Sequence, residues 1–192
     1  FDVRCPQGTV RVRSRLVGKP NVYNILAAVG VTAAMDVPIE AIELGLRDLP
    51  GVPGRFEVVS DAADDITVVV DYAHTDDALR NLLETARPMA PRLVTVFGAG
   101  GDRDRTKRPL MGLVAARLSD VVVITSDNPR SEDPARIIEE VMLGAEPEIR
   151  QTQARVLTVV DRAEAIRTAV REAAAGDLLL IAGKGHEQYQ EI

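Results

Sequence analysis

The pattern of apolar residues changes near residue 53. In residues 1–17 a stretch such as "TVRVRSRLV" alternates charged side chains with Val or Leu, which predicts two short strands around a turn at "PQG". A helix is predicted to start near Asn21, in "NVYNILAAVGVTAAM". A second starts at Pro38, because a proline suits a first helical turn, where its missing N–H leaves nothing unpaired. Its apolar residues fall on one stripe, formed by Ile39, Ile42, Leu46 and Leu49.

The segment "PGVPG" at residues 50–54 interrupts both patterns and predicts a domain boundary. Beyond it, apolar runs without alternation are separated by helical segments. Such runs are typical of parallel strands buried on both faces, so we predict a Rossmann-like α/β domain with a mostly parallel sheet. The predicted strands are 66–71, 93–98, 121–125, 156–160 and 178–183, and the predicted helices are 76–89, 109–118, 134–143 and 161–175.

Composition narrows the classes of partner. The chain has 192 residues, of which 46% are apolar, enough for a sizeable core and too many for disorder. A net charge of −6 and an aromatic content of 3% argue against a nucleic-acid partner. The single cysteine, Cys5, excludes an internal disulfide and a cysteine metal cluster and fits a cytoplasmic setting. No apolar run approaches the length of a membrane span, so no membrane partner is expected. Because the chain starts without Met inside a predicted strand, we expect it to be the C-terminal part of a longer protein.

Polar or glycine-rich segments follow the predicted strands. Ligands of parallel α/β sheets bind at the carboxyl ends of the strands, so these segments should meet at one edge. They are the DYAHT segment (71–75), the glycine-rich loop "GAGGDRDRTKR" (98–108), the DNPR turn within "SDNPR" (126–130), "DRAEA" (161–165) and the GKGHE segment (183–187).

The glycine-rich loop fits neither G-x-G-x-x-G, since its sixth residue is Arg103, nor the Walker pattern. Its four basic residues favour an anion site over a solvated loop; they are Arg103, Arg105, Lys107 and Arg108. In the GKGHE segment the glycines alone would explain a tight turn, but Lys184, His186 and Glu187 together favour a site.

Two further segments have both a structural and a functional interpretation. Asp71 and His74 are suitable for binding a ligand hydroxyl, or they are structural. In the DNPR turn, Asp127, Asn128 and Pro129 are typical turn residues. Arg130 is not required for a turn, and its guanidinium suits bidentate recognition of a carboxylate.

Six segments, in this order along the chain, resemble the Mur ligases. They are "NVYNILAA", "PGVPGRFEVV", "VVVDYAHT", "FGAGGDRDRTKRPLMG", "TSDNPRSEDP" and "IAGKGHEQYQ". The resemblance implies that residues 1–53 are the C-terminal part of the family's central ATP-binding domain. It also implies that residues 54–192 are its C-terminal amino-acid-binding domain.

The resemblance implies an ATP-dependent amide ligase of peptidoglycan synthesis. Such an enzyme would add meso-diaminopimelate to the D-Glu γ-carboxylate of UDP-MurNAc-L-Ala-D-Glu through an acyl phosphate. ATP and Mg²⁺ are the implied cofactors. The family's P-loop and magnesium ligands are absent from this sequence, so the chain alone should be inactive. We assign no catalytic or metal-binding residue in it, and we expect a monomer.

The family's amino-acid pocket maps onto six positions: Arg103, Asp127, Asn128, Arg130, Gly183 and Glu187. Arg130 would bind the carboxylate that distinguishes diaminopimelate from lysine, with Asn128 and Glu187 holding polar groups at the same end. Arg103 would take the other carboxylate. With lysine bound, Arg130 would be left unpaired, which disfavours lysine by several kcal/mol.

The family's nucleotide contacts map onto Asn21, Asn24, Arg55, Asp71 and His74. The sequence departs from the family pattern at two positions. Pro20 stands where His is usual before the first asparagine, and Asp76 stands where Pro is usual after the DYAHT segment. We expect Asp76 to cap the following helix.

Other functions stay open. A lysine-adding ligase, a D-Ala-D-Ala-adding ligase and folylpolyglutamate synthetase belong to the same superfamily, and the DNPR turn beside the GKGHE segment disfavours the last two. An isolated amino-acid-binding module without activity is a further alternative. A dinucleotide-binding module is disfavoured because no G-x-G-x-x-G follows a first strand.

Overall fold

The computed structural model describes residues 1–191, and the chain divides into two compact units, Phe1–Val52 and a second that begins at Pro53. In the first unit, strands β1 (Asp2–Cys5) and β2 (Gly8–Arg11) form an antiparallel pair. Helices α1 (Lys19–Ala34) and α2 (Ile39–Asp48) follow. Pro38 is the residue before α2 and not its first turn. The core of this unit consists of Val10, Val12, Ile25, Val29 and Ile42.

The second unit is built on a six-stranded sheet, and this confirms the predicted α/β fold with a mostly parallel sheet. The strand order is β3-β4-β8-β5-β6-β7, and only β3 is antiparallel to its neighbour. The strands are β3 (Glu57–Val58), β4 (Thr67–Asp71), β5 (Leu93–Phe97), β6 (Val121–Ile124), β7 (Arg155–Thr158) and β8 (Leu178–Ala182). The sequence did not predict β3, whose two exposed residues carry no apolar pattern.

Alternate residues of the apolar strands enter two separate cores. In β6, Val122 and Ile124 join the core beneath helices α3, α4 and α5, whereas Val121 and Val123 join a core with helix α6 on the opposite face. Each strand is thus apolar at every position because each face of the sheet is covered.

The helices of this unit are α3 (Asp76–Ala86), α4 (Lys107–Leu118), α5 (Pro134–Thr152) and α6 (Arg162–Glu172). A short 3₁₀ helix, Arg87–Met89, follows α3. Within residues 1–191, no helix has both the length and the hydropathy needed to cross a membrane.

Side-chain caps fix the start of three of these helices. Asp133 accepts a hydrogen bond from the Ala135 N–H at 2.9 Å, and Asp161 accepts one from the Glu164 N–H at 2.7 Å. The expected cap at Asp76 is wrong. Thr75 is the capping residue, and its hydroxyl accepts from the Ala78 N–H at 3.2 Å. A negative charge at the next position is still favourable, because the helix N-terminus carries partial positive charge.

Candidate functional site

Four of the five polar segments surround one cavity of about 540 Å³ in the second unit. The cavity lies at the carboxyl ends of β4, β8, β5 and β6, where a parallel sheet offers its ligand edge. All six predicted amino-acid-binding residues line it: Arg103, Asp127, Asn128, Arg130, Gly183 and Glu187. Tyr72, which sequence reasoning did not select although it lies inside the DYAHT segment, also lines it.

The glycine-rich loop packs directly against the DNPR turn. The Gly101 N–H donates to the carbonyl of Asn128 at 2.8 Å. A Cβ atom at Gly101 would lie 1.8 Å from the carbonyl oxygen of Pro129, and one at Gly98 would lie 2.4 Å from that of Thr125. Contacts this short exclude any side chain, so the glycines let two loops meet backbone to backbone.

Arg130 is held at the cavity wall by this contact. Its backbone has φ of 53°, a left-handed conformation that is uncommon outside glycine. Its Nη1 donates to the carbonyl of Gly101 at 2.7 Å, and its Nε lies 3.0 Å from Oε2 of Glu191. In the described structure the guanidinium therefore already carries a carboxylate, the type of group predicted for it.

Beside Arg130 lies a group of three acceptor oxygens that together hold the ammonium of Lys184. We call Asp127 Oδ1, Asn128 Oδ1 and Glu187 Oε2 the acceptor triad. Their distances to Lys184 Nζ are 3.1, 2.7 and 3.4 Å, respectively.

Tyr72 completes this end of the cavity, because its hydroxyl donates to Glu187 Oε1 at 3.2 Å. The same hydrogen bond to Glu187, together with that residue's negative charge, raises the pKa of Tyr72.

Arg162 supports the cavity from below, and sequence reasoning did not select it. It is 9% exposed, and its Nη2 donates to the carbonyl of Ala182 at 2.9 Å. Its Nη1 lies 3.5 Å from the carbonyl oxygen of Ser126. Burial lowers its pKa, and the charges of Asp127 and Glu187 oppose that change. The only sequence signal was its place in "DRAEA", the one polar segment that does not line the cavity.

Two of the four basic residues of the glycine-rich loop are already paired within the protein, so they are not free to bind an anion. Arg108 is 2% exposed and donates to Glu132 through Nη1 at 2.9 Å and Nη2 at 2.7 Å. It also donates to Glu140 at 2.8 Å and to the Gly100 carbonyl at 3.1 Å. Arg105 pairs with Glu140. These contacts anchor the loop to the start of α5.

Glu132 also contacts the backbone of the glycine-rich loop, because its Oε1 accepts a hydrogen bond from the Asp102 N–H at 2.6 Å. The hydrogen bond from Arg108, more than any other cause, lowers the pKa of Glu132 to about 2. Arg103 differs from its neighbours in the loop. It is exposed at the cavity wall and forms no ion pair with any residue in the range 1–191.

The predicted nucleotide contacts lie in both units. His74 lines the cavity, with Nδ1 2.8 Å from the Tyr72 carbonyl oxygen, and Arg55 lies over the Tyr72 ring at 4.5 Å. Asp71 does not line the cavity. Its carboxylate accepts from the N–H groups of Phe56 and Ala73 at 2.7 and 2.8 Å.

The other two nucleotide candidates, Asn21 and Asn24, belong to α1 of the first unit. Asn24 Nδ2 donates to Asn21 Oδ1 at 3.1 Å, and Asn21 donates to the Val17 carbonyl at 2.7 Å.

Neither a P-loop nor a magnesium site is formed by these residues. Within residues 1–191, no three His, Cys, Asp or Glu side chains are grouped so that they could hold a metal ion. The sequence also contains no G-x-x-x-x-G-K-[ST] pattern. The described residues therefore do not supply the phosphate- and metal-binding groups of a complete ATP site.

Comparisons with known proteins agree with this arrangement. The family model "Mur ligase, glutamate ligase domain" matches residues 54–185. The UDP-N-acetylmuramoyl-L-alanyl-D-glutamate–2,6-diaminopimelate ligase of Thermosynechococcus vestitus is 54% identical over 98% of this chain and 37% of its own length. The Solibacter usitatus protein with the same name is 51% identical over 100% of this chain and 38% of its own length. The chain thus spans little more than a third of these relatives.

Solved structures show the same likeness. The structure of a UDP-N-acetylmuramoyl-L-alanyl-D-glutamate–2,6-diaminopimelate ligase matches with a TM-score of 0.65 and 42% identity. The match covers 100% of this chain and 38% of that one. The structure of E. coli FolC in complex with ADP matches with a TM-score of 0.67 over 94% of this chain and 40% of its own, but at 24% identity it shows the fold alone. Because the family model matches most of the chain and these relatives are about half identical to it, the chain belongs to the Mur ligase family.

Proposed function

We propose that the full-length protein containing this chain is an ATP-dependent ligase that adds meso-diaminopimelate to the D-Glu γ-carboxylate of UDP-MurNAc-L-Ala-D-Glu. Residues 54–192 would bind the incoming amino acid, and residues 1–53 would be the C-terminal part of the ATP-binding domain. Relatives at about half identity over the whole chain carry the name of that ligase, which supports the proposal.

The observation that carries the proposal is the pairing of Arg130 with the acceptor triad in one cavity. The far carbon of diaminopimelate carries a carboxylate and an ammonium. A guanidinium beside two carboxylates and an amide oxygen offers a partner for each. Lysine has only the ammonium at this end, so its binding would leave Arg130 paired with Glu191 and without a substrate carboxylate, which corrects the expectation of an unpaired arginine.

Arg103 would hold the other end of the diamino acid. It lines the same cavity and is free of ion pairs within the part of the chain that the structure describes, so it can donate hydrogen bonds to the second carboxylate. Contacts at both ends would fix the reacting amine in position relative to the activated γ-carboxylate. Such positioning is the main contribution expected from this domain, since no side-chain nucleophile is required.

The nucleotide side of the proposal has two separate parts. In the second unit it rests on Arg55, Asp71 and His74 around Tyr72, and in the first unit on Asn21 and Asn24. ATP with Mg²⁺ would activate the carboxylate as an acyl phosphate when bound by the complete protein. Arg55 and His74 are exposed and can contact a ribose or phosphate, and Asp71 orders the backbone that carries them.

Amide formation by the full-length protein with diaminopimelate or lysine tests the proposal. We expect lysine to be a poor substrate. Arg130→Ala and Arg130→Lys should each lower kcat/KM for diaminopimelate by roughly 100-fold or more, because a buried charged hydrogen bond is worth about 2–5 kcal/mol. Arg150→Ala removes an exposed arginine of α5 away from the cavity and should leave kcat/KM unchanged.

Other outcomes identify the alternatives. Equal use of lysine and diaminopimelate would favour a lysine-adding or less selective ligase. Diaminopimelate binding without amide formation in the presence of ATP, Mg²⁺ and the UDP-linked acceptor would favour an amino-acid-binding module. Unchanged kinetics in both Arg130 variants would show that the pocket assignment is wrong.

A further inference from the structure

The ammonium of Lys184 fills the acceptor triad completely. Its N–H groups donate to Asn128 Oδ1 at 2.7 Å and to Glu187 Oε2 at 3.4 Å, and Asp127 Oδ1 lies 3.1 Å away as an ion pair. The Lys184 side chain is 11% exposed, so this ion group is almost closed to solvent. Close to it, Glu191 places a carboxylate on Arg130, and the Glu191 N–H donates to Asn128 Oδ1 at 2.9 Å.

The proposed function assigns the same oxygens to the far ammonium of diaminopimelate. Two ammonium groups cannot share them, because all three acceptors are in use and like charges repel strongly in a site of low dielectric. One of the two cations must therefore be absent from the triad when the amino acid is bound.

The surrounding backbone indicates that the Lys184 side chain is the part free to move. Gly183 and Gly185 flank it with φ of 113° and 50°, and both donate their N–H groups to the carbonyl of Asp71, at 3.0 and 3.2 Å. Lys184 Nζ also lies 5.9 Å from the centre of the Tyr189 ring, which is 62% exposed and lines the cavity. The ammonium thus already lies at the outer limit of a cation–π contact, and a short movement toward the ring would strengthen this contact as it leaves the triad.

We propose that Lys184 is a specificity-determining residue whose ammonium occupies the substrate's ammonium position in the free protein. This inference rests on the proposed function and adds the requirement that the amino acid brings its own ammonium. Diaminopimelate displaces Lys184 and satisfies the triad. An amino acid without a far ammonium leaves Lys184 in place.

A comparison of two ligands and two proteins tests this. L-2-Aminopimelate keeps both carboxylates and the reacting amine of meso-diaminopimelate and lacks only the far amine. Binding of each would be measured by calorimetry on the full-length protein with ADP, as wild type and as Lys184→Met. Lys184→Met should bind diaminopimelate more tightly than the wild type does, since no ammonium has to be displaced. It should bind aminopimelate no more tightly than the wild type does, since this ligand leaves the triad without a cation.

The ratio of the two affinities should therefore rise by about tenfold in Lys184→Met. A ratio that is unchanged or lower would overturn the proposal, because it would mean that Lys184 stays in the triad and orients it. Arg150→Met is the matched control. It removes an exposed cation from α5, away from the cavity, and should leave the ratio at the wild-type value.

A second measurement does not depend on the folding of a variant. A crystal structure of the wild type with diaminopimelate and ADP should show the ligand ammonium within hydrogen-bonding distance of Asn128 Oδ1 and Lys184 Nζ moved away from it. Lys184 still in contact with all three oxygens would overturn the proposal while leaving the proposed function intact. Failure of the wild type to bind diaminopimelate would overturn the proposed function, and this proposal with it.

Discussion

At the scale of single residues, Gly101 determines how closely the glycine-rich loop can approach the DNPR turn. Its N–H donates to the Asn128 carbonyl, and the space that a Cβ would need is filled by the Pro129 carbonyl. Neither neighbour is the flexible end of a side chain, so any larger residue must push one loop away from the other.

Gly101→Ala should therefore damage both folding and binding. We expect a loss of about 1–3 kcal/mol in the free energy of unfolding, measured by denaturant titration. The displacement of Arg130 should also weaken diaminopimelate binding by at least about tenfold, measured by calorimetry, because binding depends on the placement of charged groups.

Gly45→Ala provides the matched control for this change. Gly45 lies inside α2 with open space around the position of a Cβ, so alanine should stabilise the helix by up to about 1 kcal/mol. It should leave binding at the wild-type level. If Gly101→Ala behaved like Gly45→Ala, the close approach of the two loops would have no role in the site.

The sequence predicted which residues surround the cavity better than it predicted their partners. Asp127, Asn128 and Arg130 could be selected because they follow a buried strand, and the ligand edge of a parallel sheet is known in advance. The pairing of Arg108 with Glu132 and Glu140 could not be predicted, since these partners lie 24 and 32 residues further along the chain. The same limit hid the contact of Lys184 with Asn128, 56 residues away.

At the scale of elements, α5 is the main support of the site. Its cap, Asp133, lies three residues after Arg130 of the DNPR turn, and Glu132 and Glu140 flank its first turns. The predicted helix ended at residue 143, whereas α5 extends to Thr152 through Pro147. Pro147 is exposed, and so is Leu143, whose carbonyl loses its partner, so water can replace the missing hydrogen bond.

The spacing of the buried residues could have predicted the longer helix. Val141, Ala145 and Glu148 continue the buried face of α5 beyond the predicted end, at intervals of four and three residues.

Acid should weaken the anchor between α5 and the glycine-rich loop. Glu132 has its pKa lowered from 4.5 to about 2, chiefly by the hydrogen bond from Arg108. A lowered folded-state pKa gives stability that is complete above the ordinary pKa and is lost as pH falls from about 4.5 to about 2. The free energy of unfolding should therefore fall more steeply across this window in the wild type than in Glu132→Gln.

Urea titrations at several pH values across that window would measure this difference. At neutral pH, Glu132→Gln should be less stable than the wild type, because the buried Arg108 loses an ionised partner. Glu139→Gln, which removes a carboxylate from the same helix outside this anchor, should keep the wild-type pH profile. Parallel profiles for the wild type and Glu132→Gln would contradict the assigned role.

At the scale of the whole molecule, the strand order determines which segments share the cavity. The alternation of strands and helices predicted a parallel sheet, but not that β8 lies between β4 and β5. This placement puts the GKGHE segment between the DYAHT segment and the glycine-rich loop. Long-range strand neighbours of this kind leave no local pattern, because each central strand is simply apolar on both faces.

The unit from Pro53 onward should fold and bind without the first unit. Both of its cores are formed entirely by its own residues, and it contains the whole lining of the cavity. Expressed as residues 53–192, it should show one cooperative thermal transition, typical of a domain of about 100–150 residues. It should bind diaminopimelate in preference to lysine and form no amide with ATP, since it contains no P-loop. A transition without cooperativity, or loss of the preference for diaminopimelate in a folded fragment, would show that the cavity needs residues outside this unit to acquire its selectivity.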